Sequence, residues 1–365
     1  MAVRWWSKLV GSRTRGPETE PAPEPRPGEA VVEPAEAPAS PPTPDAAPTH
    51  SRWADEDVTP AGDEAQPSSP PEATRESLQR SLRWRARVLL EKMAGVGRLG
   101  HGPAIVKSLQ DDNESIIRQP PTAARRALTV TRNPDSGLDE VVRIIEQSPS
   151  MAQALLKTAN SSWYRGGGEN VVSINEAVMR VGTQGVENVL LASMVEGLLC
   201  KPGGSYDAMV VKVWSHMLRT AELARRLAAP FGIDDEAAYT LGLLHDVGKL
   251  VIFDHISDLR HSLHAEVQMP PAFLTALLGH LHEPVGGLAA LRWEMGGAMA
   301  HSLSEHHRRP PPDAPDRPTE LIYVAERLDL IQARVEQLDW EAIWQEGRIT
   351  TDRGDVEARF MSARE

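Results

Sequence analysis

The 365-residue chain has one cysteine, Cys200. A lone thiol cannot form an intramolecular disulfide, gives no support to a thiolate zinc site, and fits a reducing compartment. Apolar runs of the length that crosses a bilayer, about 18 residues or more, are absent. The N-terminus, MAVRWWSKLVGSRTRG, lacks the apolar stretch and small-residue cleavage site of a secretory signal. Together these absences predict a cytoplasmic protein. Excess basic charge is missing too: the net charge is −12, so composition does not suggest a nucleic-acid surface. Strand signals are nearly absent, which predicts an all-α fold.

The acidity belongs to one segment. Between residues 17 and 74 stand thirteen Asp and Glu against Arg26 and Arg52, and half of the chain's 30 prolines fall between Pro17 and Pro71. With almost no large aliphatic side chains, this stretch cannot bury enough apolar surface to offset its ordering entropy, so 17–74 is predicted to be a disordered linker. Residues 1–16 precede it. Trp5, Trp6, Leu9 and Val10 interleave there with Arg4, Lys8, Arg13 and Arg15, a pattern that suits either a weak interfacial membrane contact or a basic tip.

Helical periodicity starts near Glu76. Leu78, Leu82, Val88, Leu89 and Met93 recur three and four residues apart, with Arg80, Arg83, Arg85 and Arg87 between them. We expect a helical lead-in over 75–114, its arginines on a solvated face and its end marked by Gly95, Gly97 and Gly100. Further stripes follow: Leu138, Val141, Val142 and Ile145; Met151, Leu155 and Leu156; Val186, Val189, Leu190 and Val195. Ser148-Pro149 puts proline at a first helical position, and Gly166-Gly167-Gly168 reads as a turn. Short helices with short connections make a bundle.

The chemistry concentrates in LGLLHDVGKLVIF. His245 and Asp246 are adjacent metal-type ligands at the end of an apolar run, and Gly248 and Lys249 follow. Imidazole nitrogen and carboxylate oxygen suit Fe, Mn or Zn. Upstream is His216, and downstream are His282, His306, His307 and Glu326, so seven potential ligands lie on or beside helical segments. The same residues fit other roles. His216 could be a hydrogen-bonded core histidine, and the 306–307 pair an exposed helix end. His261, His264, His280 and His301 read as packing or surface residues. Gly242 and Gly248 would let backbones approach closely at the site.

The order of motifs resembles the HDOD domain of bacterial signalling proteins, a relative of the HD phosphohydrolases. It runs from Pro120-Pro121 through IIEQSPSMAQALLKTANS, VVSINEAVMRVG, Trp214-x-His216, GLLHDVGKL and HEPVGGLAALRW to His306-His307. The resemblance spans about Ile117 to Gln337 and implies a multi-helix HD-type bundle in two lobes, 115–205 and 206–345, with a C-terminal tail over 346–365. It implies His216, His245, Asp246 and Glu326 as ligands of one metal, and the more distant resemblance to the HD-GYP phosphodiesterases implies His282, His306 and His307 as those of a second. Two metals would clamp a phosphodiester, with Lys249 neutralising phosphate charge. Members of this family are commonly regarded as regulatory output modules, often without demonstrated hydrolase activity, and two departures here weigh against an active enzyme. Glu326 stands where the superfamily has Asp, with Asp329 one turn further on, and RRPPPDAPDRP follows the His pair with no GYP element. The resemblance therefore implies a non-catalytic docking module, with a metal-dependent phosphohydrolase acting on a nucleotide or cyclic dinucleotide as the alternative.

Overall fold

The structure is a computed structural model that describes residues 72–95, 97, 99–111, 113–120, 122–133, 138–200, 204, 206–263, 267–307 and 315–362. The N-terminal tip, all but the last three residues of the linker, His264 and the stretch after His307 up to residue 314 lie outside them. Among the described residues the fold is all-α, without strands, and no helix is long and apolar enough to cross a membrane.

The first group of helices is α4 (Thr122–Arg132), α5 (Leu138–Glu146), α6 (Pro149–Ala159), α7 (Ser162–Arg165) and α8 (Ile174–Leu199), with α4, α5 and α6 packed on α8. Local signals set their ends. Pro149 opens α6 after Ser148, where its missing N–H costs nothing. Gly166, at φ 54°, closes α7 in the left-handed region. Asn160 clasps Val171 through both its N–H and its carbonyl at 2.8 Å, closing the loop between α6 and α8. Gly182, at φ 75°, breaks the long α8 into two stretches. Val141, Val142 and Ile145 are buried, whereas Leu138 is 40 % exposed and only begins that stripe.

The second group is α9 (Asp207–Leu227), α10 (Asp235–Leu244), α11 (Val247–Leu263), α12 (Pro271–Arg292), α13 (Gly297–Glu305) and α14 (Arg317–Arg334). Helix α9 packs on α10 and α14, and α12 lies against α11 and α13. Asp234 caps α10 by accepting from the N–H groups of Glu236 and Ala237, and Asp316 caps α14 at Thr319. The two groups meet at the Glu236 carboxylate, which accepts from Tyr164, Asn188 and Arg225 at 2.6, 2.8 and 2.8 Å. Arg225 is also stacked on the Tyr239 ring, 4.0 Å from its centroid.

The lead-in and the segment expected to be a C-terminal tail both join this core. The lead-in forms α1 (Arg75–Met93), α2 (Gly102–Asp111) and the short α3 (Asn113–Ile116). Leu78, Leu82, Ala86, Leu89 and Met93 of α1 are buried, and the helix packs along α12. Arg80, Arg83 and Arg87 are exposed as expected, but Arg85 turns inward. The segment 346–365, expected to be a tail, instead carries α16 (Arg353–Ser362) after α15 (Trp340–Gly347). Val356 and Phe360, one turn apart, bury against Phe231, Leu328 and Ile343. Two apolar residues in a polar stretch are too faint a periodicity to announce a packed helix, so the core extends to this point.

Glycines set how closely the central helices approach. A Cβ on Gly242 would lie 2.7 Å from Cα of Ala221 in α9. On Gly248 it would lie 1.9 Å from the backbone oxygen of His282 and 2.7 Å from the backbone nitrogen of Gly286. Both obstacles are backbone and cannot rotate away, so α11 and α12 touch only because residue 248 has no side chain. Gly248→Ala is expected to lower stability by roughly 3 kcal/mol, read by urea unfolding in the presence of chelator. A change within about 0.5 kcal/mol would contradict the close approach.

Candidate metal centre

The His245-Asp246 doublet occupies the two-residue break between α10 and α11. His216 comes from α9, His282 from α12 and Glu326 from α14, while His306 and His307 follow the last turn of α13. All seven expected ligands converge. Among the described residues, ligand atoms of His216, His245, Asp246 and Glu326 lie within 4.8 Å of one another, and so do those of Asp246, His282, His306 and His307. Asp246 belongs to both sets.

Hydrogen bonds fix which ring nitrogen faces the centre. Nδ1 of His245 meets the backbone oxygen of Gly242 at 2.7 Å, Nδ1 of His282 meets that of Leu278 at 2.6 Å, and Nδ1 of His306 meets that of Leu303 at 2.8 Å. A carbonyl only accepts, so each Nδ1 carries the proton and each Nε2 of a neutral ring presents a lone pair. His216 is oriented the same way by the Asp329 carboxylate, 2.6 Å from its Nδ1. The Nε2 atoms then face one another: His216 to His245 at 3.2 Å, His282 to His306 at 3.3 Å and His282 to His307 at 3.1 Å. Lone pairs at that separation repel unless a positive charge lies among them.

The carboxylates complete two donor sets. Asp246 Oδ2 lies 3.5 Å from Nε2 of His245 and 3.8 Å from that of His216, while Oδ1 lies 3.5 Å from His282 and 3.9 Å from His306. Oδ1 is buried and accepts no hydrogen bond, an orphan that a cation would satisfy. Glu326 spans the sets, with Oε1 3.9 Å from His216 Nε2 and Oε2 3.5 Å from His307 Nδ1. Its longer side chain therefore reaches the centre without any register shift, and Asp329 takes up a place behind His216 instead. The donor set of imidazole nitrogens around a shared carboxylate fits a pair of divalent transition metals.

Electrostatics agree with that donor set. Burial, ahead of every other influence, pushes the His245 pKa down to about 3, although Asp246 pulls the other way. The ring is thus a neutral ligand at physiological pH. Burial works against the Asp246 carboxylate too, but Lys249 and then the surrounding imidazoles hold it well below the usual carboxylate range. Burial and the nearby Asp246 charge push Glu326 up. Lys249, expected to meet phosphate, donates to Asp246 Oδ2 at 2.7 Å and is itself buried.

Three supporting residues had no place at the site in the sequence reading. Arg219 donates to both oxygens of Asp329 at 2.6 and 3.0 Å, fixing the carboxylate that orients His216. Glu283, next to His282, accepts from the backbone N–H of His307 at 3.0 Å and pairs with Arg85. Burial opposes its charge, yet Arg85 leads the groups that hold its pKa down. Glu283 follows a ligand in HEPVGG, which was the one available signal; the Arg85 contact crosses nearly two hundred residues and left none. His261 and His280 bond to carbonyls of their own helices, and His301 pairs with Asp316, in line with packing or surface roles.

The family model for the HDOD domain matches residues 117–309. No curated protein matches the chain. Solved structures of similar fold include a candidate metal-dependent phosphohydrolase of Shewanella amazonensis SB2B, at TM-score 0.54 and 20 % identity over 71 % of this chain and 97 % of that one. An HDOD domain protein of Geobacter sulfurreducens is similar at TM-score 0.51 and 20 % identity, over 77 % of this chain and 95 % of that one. A candidate signal transduction protein of Marinobacter aquaeolei VT8 gives TM-score 0.50 and 22 % identity, over 79 % and 65 %. At these identities the likeness is one of fold.

Groups that orient a metal-bound imidazole are commonly worth ten- to a hundredfold in affinity. Asp329→Leu is therefore expected to weaken binding of one divalent ion by about that factor, measured by calorimetric titration with Mn²⁺. Unchanged affinity would remove Asp329 from the site.

Proposed function

The chain belongs to the HDOD family, and we propose that it is a regulatory signalling module that acts by docking a protein partner, its seven-ligand cluster holding divalent transition metal as a buried, non-catalytic centre. The observation that carries this reading is the closure of the ligand set. His245, His282 and His306 are 0 % exposed and Asp246 is 1 % exposed, whereas a catalytic metal keeps a position open to substrate. Lys249, the residue expected on phosphate, is engaged by Asp246 instead. Held this way, the metals would tie α9, the α10–α11 break, α12, the end of α13 and α14 into one rigid body, a scaffold for a docking surface. The candidate signal transduction protein of similar fold is consistent with such a role.

One observation favours a second reading. Asp246 offers one oxygen to each ligand set, the sharing that two-metal hydrolases use, and the metals would then supply Lewis-acid polarisation of a phosphodiester. Substrate would have to approach by the edges of His216 and His307, whose side chains are 11 % and 21 % exposed.

The deciding measurement uses the full chain without a histidine tag, expressed with Fe, Mn and Zn supplied. Elemental analysis is expected to find about two equivalents of metal, lost in His245→Ala/Asp246→Ala, and a panel of nucleotides and cyclic dinucleotides is expected to remain intact. Hydrolysis by the wild type that the double variant lacks would replace the regulatory reading with the phosphohydrolase.

A further inference from the structure

Helix α1 lies outside the residues that match the family, 117–309, yet one of its side chains pairs with a carboxylate that touches the candidate ligands. Arg85, 11 % exposed, donates from Nη1 to Oε2 of Glu283 at 2.5 Å. Glu283 is 3 % exposed at its side chain. Its other oxygen accepts the backbone N–H of His307 at 3.0 Å and lies 3.9 Å from Nδ1 of His306. One buried carboxylate thus faces the two ligands that end α13, and in the chain it directly follows the third, His282.

We infer that Arg85 is a positioning residue for one half of the centre, the Asp246, His282, His306 and His307 set, and that a helix outside the family domain thereby governs how tightly that half holds its metal. The inference rests on the reading of the cluster as a metal centre. Its physical basis is the cost of leaving a buried carboxylate without its cation. Without Arg85 the Glu283 carboxylate is no longer held in place, and neither is the turn whose His307 N–H it accepts. The guanidinium has little freedom to slide. Leu78 of α1 packs where a Cβ on Gly287 would come within 2.9 Å of it, the backbone N–H of Ala73 bonds to Gly297, and the Phe273 ring sits where a Cβ on Gly102 would fall. Leu78 and Arg85 of α1 meet Gly287 and Glu283 of α12 in descending order, so these two helices run antiparallel in a fixed register. The other half has its own support, Arg219 and Asp329 on α9 and α14, so a loss at Arg85 should be confined to one side.

The test titrates metal-free full-length protein with Mn²⁺ by calorimetry, comparing wild type with Arg85→Met and Arg85→Lys, each checked for fold by circular dichroism. The wild type is expected to take up two ions. Arg85→Met should bind one as before and the other about ten- to a hundredfold more weakly. Arg85→Lys, which keeps the charge but not the planar fork, should fall between them. The Asp329→Leu variant should show the complementary loss, and combining it with Arg85→Met should weaken both events. A folded Arg85→Met that binds two ions with wild-type affinity, or that loses both in parallel, overturns the inference and leaves the centre standing. If Arg85→Met does not fold, Arg85→Lys is judged by the same criterion. A wild type that binds no Mn²⁺ overturns the metal reading, and this inference with it.

Discussion

Imidazole lone pairs brought face to face around one buried carboxylate are the constraint on which this structure turns. The inward Nε2 atoms of His216, His245, His282 and His306 point that way because Nδ1 of each is tied to a carbonyl or to Asp329, and burial keeps the His245 ring neutral. Rings held so cannot relieve the repulsion by exchanging tautomers. The cluster therefore calls for positive charge, and Lys249 places one against the doublet's carboxylate, on Asp246 Oδ2. A charge this deeply buried is tolerated only when paired and hydrogen-bonded, which makes the polar centre a source of specificity as much as of stability.

The centre can form because the helices around it come unusually close. Gly242 lets α10 settle on α9, and Gly248 lets the backbone of α11 touch that of α12. The second contact matters most, since it brings Asp246 from the start of α11 beside His282 on α12. A Cβ at Gly248 would push the backbone of α11 off α12 and so move Asp246 away from His282. Packing and chemistry are thus a single requirement here: the absence of a Cβ sets the distance at which a shared ligand can work.

Support for the site is divided. Arg219 and Asp329 fix His216 from one side, and Arg85 with Glu283 fixes the His306–His307 turn from the other. Both are arginine–carboxylate pairs in which the carboxylate also meets a ligand, at a ring nitrogen in one case and at a backbone N–H in the other. The second pair recruits a helix that precedes the family domain, so the functional unit is larger than the stretch the family defines.

How much of this was legible in the sequence follows from the range of each interaction. Local patterns were enough for the all-α class, for the helix start at Pro149, the turn at Gly166 and the apolar face of α1, because helix period and backbone preference act over a few residues. The ordered motifs around His216, His245, Asp246, His282, His306, His307 and Glu326 named the ligands by their chemical types. What only the tertiary structure decided was distance and direction. It turned the ring nitrogens inward, gave each oxygen of Asp246 to a different ligand set, put Lys249 on that carboxylate rather than open to phosphate, and let Glu326 reach the centre while Asp329 stayed behind His216. It also folded Val356 and Phe360 into the core and brought Arg85 to Glu283, contacts between residues far apart in the chain. No local periodicity records such contacts, since they arise from helices meeting in space.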